Sequence, residues 1–296
     1  MRGCRGIGQR PVNAPRQPST TSPAVDDSYV VGTSPAELQR LLRQHQLFRH
    51  HSLEAWRRAG LGPGQRVLDV GAGPGAAALE LAAAVGPGGA VLALERNAGY
   101  VAHCRQAAAQ AGLAQLQVLQ ADVLRDPLPE GPFDLIWCRW VAVFLADAAA
   151  LVERLVPRLQ PGGRMLLLET LDWHSLALHG VAPAAHAAVA GFGEAIHRVI
   201  AASGADPVAA RRLPGLLQQA GLELERLEPL VVAGSGEERR WLRDVMALMG
   251  PDLVRQGLWE QAELEQGLAA LETAGQQPGA FVVGPLQTWI QARRPA

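Results

Sequence analysis

Lysine is absent from the 296 residues, so all 27 of the Lys+Arg positions are arginine, set against 28 acids for a formal net charge of −1. That balance supplies no broad positive field for nucleic acid or for acidic membranes. The arginines are scattered, with short pairs at Arg57-Arg58, Arg211-Arg212 and Arg239-Arg240 that suit solvated helix faces. Cysteine is scarce: Cys4, Cys104 and Cys138 are the 3 present, and none stands in a C-x-x-C pair. This excludes a zinc ribbon, argues against a disulfide framework and fits a reducing, cytoplasmic setting. The 8 histidines show no metal-ligand spacing with acids on a shared helix face, so no metal site is expected. There is no G-x-S-x-G elbow, which leaves a serine hydrolase without support, and no G-K-[ST] phosphate loop.

The N-terminal lead carries Arg2, Arg5, Arg10 and Arg16 with no acid before Asp26, and it lacks the unbroken apolar core of a secretory signal. Residues 1–27 read as a disordered tail, with a transit peptide as the other reading. The stretch Ala76 to Leu94 is nearly uncharged, but Glu80 and the Gly86-Pro87-Gly88-Gly89 turn interrupt it. It therefore predicts a helix, a turn and a strand, and no membrane span. With 48% hydrophobic and 19% charged residues, the chain can bury one substantial core, or one core and a smaller cap.

Ser34-Pro35-Ala36-Glu37 has the form of a helix start, with serine as cap and proline in the first turn. A second short helix is expected over Ser52–Ala59, closed by Gly60. From residue 66 strands and helices alternate. Strands are expected at Arg66–Val70, Ala90–Glu95, Gln115–Gln120, Phe133–Cys138 and Met165–Thr170. Helices are expected at Ala76–Val85 and Ala98–Ala111, and after Asp147 up to about Pro161-Gly162-Gly163. Such alternation requires a parallel sheet covered on both faces. Beyond Thr170 the pattern changes: 180–221 and 236–275 read as helical, Leu222–Val232 and Phe281–Arg293 as strands.

The segment Val67-Leu68-Asp69-Val70-Gly71-Ala72-Gly73-Pro74-Gly75 runs from a strand through a glycine turn into a helix. Glycines let the backbone approach a ligand closely, and the helix start offers free N–H groups. Glu95 ends the second strand, where a carboxylate can accept from both hydroxyls of a ribose. These features suit NAD enzymes too, since Gly71, Gly73 and Ala76 satisfy the looser dinucleotide fingerprint. Asp69 separates the readings. A carboxylate beside the turn repels a pyrophosphate and attracts a cation, and S-adenosylmethionine (SAM) carries an ammonium and a sulfonium but no phosphate. Asp69 acting only as a cap on the loop is compatible with SAM as well.

The run Val67–Gly75, with Glu95, Ala121-Asp122, Phe133–Arg139 and Leu159-Gln160-Pro161-Gly162-Gly163, resembles the class I SAM-dependent methyltransferases. It is most similar to the small-molecule branch that includes the ubiquinone/menaquinone biosynthesis enzymes (methyltransferase type 11/25-like). The resemblance covers about residues 66–170. It implies an α/β fold: a Rossmann-like, seven-stranded, mostly parallel sheet with an antiparallel last strand, N-terminal lid helices and a helical cap. It sets lid helices at 28–62, a SAM-binding core at 63–175, and an acceptor-side cap with the last two strands at 176–296. It also places Asp69, Gly71, Ala72, Gly73 and Gly75 around the methionine part of SAM, and Glu95, with Arg96 beside it, at the ribose. Asp122 and Val123 fall at the adenine, and Cys138 and Arg139 at the end of the fourth strand. In the lead-in segment, Tyr29 and Gln44 become candidate cofactor contacts.

The partner expected beside SAM is a small-molecule methyl acceptor, with O- or C-methylation. In open parallel sheets ligands lie outside the carboxyl ends of the strands. The loop Glu169-Thr170-Leu171-Asp172-Trp173-His174 falls there, and the helical stretches can close over it. Trp173, Trp241 and Trp259 are candidates for an apolar wall. His174 is the preferred general base, for its intrinsic pKa, and Glu169 the second choice. A nicotinamide-dependent oxidoreductase and a catalytically silent SAM-binding protein stay open as other function classes.

Overall fold

The computed structural model describes residues 34–296; the lead 1–27 and Tyr29 lie outside the described residues. The first helix, α1 (Pro35–Arg58), starts where Ser34 Oγ accepts from the Glu37 N–H at 3.1 Å. It is one continuous helix of 24 residues, which corrects the expectation of a separate helix from Ser52. Ser52 does not cap: its hydroxyl donates back to the Phe48 carbonyl at 3.3 Å, inside the helix. No glycine or proline interrupts 36–59, and the chain first turns at Gly60, with φ 77°.

There follow β1 (Arg66–Val70), α2 (Ala76–Val85), β2 (Ala90–Glu95), α3 (Ala98–Gln110), β3 (Leu116–Gln120), β4 (Phe133–Arg139), α4 (Ala148–Leu155) and β5 (Leu159–Asp172). Asp147 caps α4 through Oδ1, which accepts from the Ala149 and Ala150 N–H groups at 2.9 and 3.0 Å. The expected helix up to Pro161 ends earlier, at Leu155, and passes through a single 3-10 turn at Val156–Arg158. Pro157 sets that stop, and Pro161-Gly162-Gly163 lies within the long β5 instead of ending a helix.

The second half contains β6 (Ala177–His179), α5 (Pro183–Ala202), α6 (Leu213–Gln219), β7 (Glu223–Leu230), β8 (Ala233–Gly234), α7 (Glu237–Arg255), α8 (Gln261–Ala274), β9 (Phe281–Val283) and β10 (Leu286–Arg293). The single strand expected over Phe281–Arg293 is two strands, broken at Gly284-Pro285. The first joins a small antiparallel sheet ordered β6-β9-β8, which the sequence pattern did not reveal. The second enters the main sheet.

That main sheet has seven strands ordered β3-β2-β1-β4-β5-β10-β7. The pairs from β3 to β5 are parallel, while β10 runs antiparallel to both β5 and β7. The last strand in sequence is thus the antiparallel one, inserted between two strands that precede it. Both faces are buried. Val67, Leu135 and Trp137 pack with α1, α2 and the cap helices, while Leu68, Val70 and Ile136 pack with α4 and α6. This two-sided burial explains why β1 and β4 read as unbroken apolar runs. The order reverses at β1, whose neighbours are β2 and β4, so a crevice opens at the carboxyl end of β1.

Candidate active site

A cavity of about 220 Å³ occupies that crevice. Its cofactor-side lining includes Asp69, the turn residues Gly71, Ala72, Gly73 and Pro74, then Glu95, Arg96, Asp122 and Val123. Gly71 has φ 68°, and a Cβ there would lie 2.4 Å from Val141 Cγ2. At Gly73, with φ 55°, a Cβ would meet nothing within 4 Å, so this glycine serves the backbone shape and leaves the space above it open. Glu95 holds the turn in place: Oε2 accepts from the Gly73 N–H at 2.8 Å and Oε1 from the Asn97 N–H at 2.7 Å. Its burial pushes the carboxyl pKa up, and the backbone N–H groups act against that shift. Asp122 caps its own turn, with Oδ1 accepting from the Leu124 N–H at 2.8 Å.

Asp69 is 2% exposed, and its Oδ2 is buried with no hydrogen-bond partner among the described residues. Burial raises its pKa to about 7, against the pull of the Arg139 guanidinium; the Glu95 carboxylate adds to the rise. A buried carboxylate oxygen without a donor costs stability unless a ligand supplies one. An ammonium is such a donor, so the residues present fit a cationic cofactor and oppose a pyrophosphate.

Helix α1 lines the cavity with Arg40, Leu41, Gln44 and His45. Arg40 pairs with Glu37 through Nε to Oε2 at 2.6 Å and Nη2 to Oε1 at 2.7 Å. Gln44 Oε1 accepts from Arg40 and, across the cavity, from the Trp241 indole N–H at 2.8 Å, joining α1 to α7. Below them Arg139 Nη1 donates to Ser52 Oγ at 3.1 Å, and Nη2 faces His45 Nδ1 at 3.1 Å. Since a guanidinium only donates, the His45 proton resides on Nε2, 3.5 Å from Glu80 Oε1. Burial, then the Arg139 charge, lower the His45 pKa to about 4, so the ring is neutral at pH 7.

Another part of the cavity lining is apolar. Trp140, Val143, Phe144, Trp173, Ile196, Ile200, Trp241, Val245 and Met249 line it. Trp140 has φ 55°, the single non-glycine residue with positive φ among the described residues. Such a conformation at the end of a strand stores strain that neighbouring contacts must hold. Here the Trp140 indole N–H donates to Gln287 Oε1 at 3.0 Å, its ring meets Phe48 edge-on at 4.8 Å, and Arg139 lies over its face.

Several sequence expectations are corrected. Gly75 does not line the cavity; with φ 91°, its missing Cβ makes room for Cys104, whose Sγ would be 2.1 Å away. Cys138 is fully buried beneath the site, and Arg139, one residue on, reaches the cavity instead. Trp173 and Trp241 form the expected wall, but Trp259 packs elsewhere, against Phe192. His174 is not at the cavity. Its half-exposed ring sits between Asp172 Oδ1 at 2.9 Å and Glu194 Oε2 at 2.6 Å, and these hydrogen bonds raise its pKa. Glu169 is buried away from the cavity, where Oε1 accepts from the Val141 and Ala142 N–H groups at 2.9 and 3.0 Å. It fixes the turn that carries Trp140 and Val141. Of the two base candidates, the fold brings neither to the cavity. Trp140, His45, Arg40 and Gln287 escaped sequence reasoning, since no local motif marks them; a tryptophan directly after the β4 arginine was the one available hint.

This fold and site define a class: a doubly wound α/β sheet with a crevice lined by a glycine turn and two buried carboxyl groups. Residues 67–163 match the methyltransferase domain family. The chain is similar to methyltransferase str3 of Strobilurus tenacellus, with 29% identity over 202 residues, 67% of this chain and 67% of that protein. It is also similar to the ubiquinone/menaquinone biosynthesis C-methyltransferase UbiE of Ectopseudomonas mendocina, 30% identical over 126 residues, 42% of this chain and 48% of that one. The chain thus spans about half the length of the UbiE relative. In fold it is similar to the phosphoethanolamine N-methyltransferase 2 of Haemonchus contortus solved with SAM. That likeness has a TM-score of 0.53 and 15% identity, and covers 86% of this chain and 56% of that one. Residues 67–163 thus carry the likeness to methyltransferases, set within a Rossmann-like fold. Among the described residues, no helix is long and apolar enough to cross a membrane.

Proposed function

We propose that this protein transfers the methyl group of SAM to the oxygen or carbon of a small, mostly apolar acceptor. The observation that carries the reading is a single cavity lined both by Asp69, whose Oδ2 has no partner among the described residues, and by the apolar Ile196, Ile200, Val245 and Met249. Asp69 holds the ammonium, Glu95 accepts from the ribose hydroxyls, Arg96 lies beside it, and Asp122 with Val123 meets the adenine. Bound SAM supplies an already activated methyl group. Transfer would leave S-adenosylhomocysteine in place of SAM, and the acceptor's proton would be lost when the site reopens to solvent.

The work of the chain is therefore positioning. The wall excludes water, and Trp140, Trp173 and Trp241 hold the acceptor against the cofactor, an effect worth up to about 7–11 kcal/mol when alignment is good. No covalent intermediate is needed. Calorimetric titration of the full chain with SAM, S-adenosylhomocysteine and NAD tests the cofactor side, followed by turnover on a panel of phenols and enolisable ketones. Binding of the first two ligands but not NAD, with methylation of an apolar member, is expected. NAD binding without SAM binding would sink the reading in favour of an oxidoreductase, and SAM binding with no methylated product across wide panels would favour a catalytically silent binder.

A further inference from the structure

Beside the apolar residues of the cavity wall lies a polar pair. Gln287 on β10 and Thr170 on β5 are cross-strand partners, and both line the cavity. The two residues are 1% and 3% exposed, so the open space their polar atoms reach is the cavity itself. The Trp140 indole can only donate, so the atom it contacts at 3.0 Å is the Gln287 carbonyl oxygen, and this fixes which way the amide points. The amide NH₂ is then left over. Neither that nitrogen nor the Thr170 hydroxyl has a hydrogen-bond partner among the described residues. A nine-tenths buried amide that lines a cavity with its donors unspent calls for a ligand acceptor atom.

The wall around it narrows the ligand chemistry. Ile196, Ile200, Val245 and Met249 offer no charge and no hydrogen bonds of consequence, so the part of the ligand that meets them is apolar. Donors with no full charge suit a neutral oxygen such as a carbonyl or a phenol. The strained Trp140 has a role in this arrangement, because its indole orients the amide.

We propose that Gln287 and Thr170 form an oxygen-recognition subsite, selecting acceptors in which a carbonyl or phenol oxygen stands on an otherwise apolar body. This rests on the methyltransferase reading above and deepens it. The test uses the full chain saturated with S-adenosylhomocysteine, titrated with 1-tetralone and with tetralin, which differ by one carbonyl oxygen. The wild type should bind tetralone about tenfold more tightly, the discrimination expected of a donor left unpaired by the other probe. Gln287→Glu keeps an oxygen for the Trp140 N–H but replaces the donor NH₂, and should bring the two probes to parity. Thr170→Val, nearly the same shape, should reduce the preference to about threefold and guards against a misfolded first variant. Binding of the two probes within twofold by the wild type, binding of neither, or a preference unchanged in both variants would overturn the subsite. Intact S-adenosylhomocysteine affinity alongside those results confines the failure to the subsite; its absence in the wild type would overturn the methyltransferase reading too.

Discussion

Asp69 makes the affinity for the cofactor depend on pH in a direction that can be worked out. Burial raises its pKa from 3.8 to about 7 in the ligand-free protein. A bound ammonium stabilises the ionised carboxylate, so binding expels a proton at any pH where Asp69 is protonated beforehand. Affinity for S-adenosylhomocysteine should therefore rise with pH, by up to about tenfold per unit below pH 7, and level off above it. A free α-amino group loses its own proton near pH 8, so affinity falls again on the alkaline side. In the Asp69→Asn variant the acid limb should vanish, and affinity at pH 7.5 should drop about 10- to 100-fold, the loss of a charge-assisted hydrogen bond of about 1.5–3 kcal/mol. The ligand-free variant should resist heat at least as well as the wild type at pH 8. A carboxyl whose folded pKa is raised contributes stability at low pH, and that contribution is lost as pH rises through about 7; asparagine does not titrate. Calorimetry in buffers of different ionisation enthalpy reads the released proton directly. An acid limb that persists in Asp69→Asn would refute the argument and move the titration to Glu95, whose pKa is also raised by burial.

Two further outcomes follow from the geometry. Gly75→Ala should destabilise the fold by about 2–4 kcal/mol in urea titrations, from its φ of 91° and a Cβ 2.1 Å from Cys104 Sγ; pairing it with Cys104→Ala should recover part of the loss, and no recovery would show that backbone strain alone is responsible. His174→Ala should leave S-adenosylhomocysteine affinity within twofold and cost under about 1 kcal/mol, because its ion pairs with Asp172 and Glu194 are half-exposed; a large drop in affinity would show that it reaches the cofactor after all.

Local chemistry wrote much of this fold into the chain. The strands β1 to β4 lie within a residue of their expected bounds because buried parallel strands are short apolar runs between turn residues. The helix starts at Ser34 and Asp147 were legible for a similar reason, since a cap is a contact within three residues. Where the sequence misled, the deciding contact was distant. Ser52 looked like a cap but serves Arg139, 87 residues away. The break at Gly284-Pro285, read as the interior of a strand, sends the preceding residues to a second sheet because β6 and β8 wait there to pair with them.

The site divides in the same way. Asp69, the glycine turn and Glu95 form one strand–turn–helix–strand unit, so this end of the cavity was legible in the sequence. The rest of the cavity wall is assembled from α1, the turn after β4, α5, α7 and β10, which are up to 247 residues apart between Arg40 and Gln287. No local motif encodes such a surface. His174 had suitable chemistry but faces Glu194 on the outside, while Gln287 had no distinguishing neighbours and faces the cavity. Sequence determined that a carboxylate stands beside the glycine turn, because the two are only a few residues apart. Tertiary structure decided what the cavity wall offers an acceptor, because burial and the direction of each side chain are properties of the packed sheet and its cap.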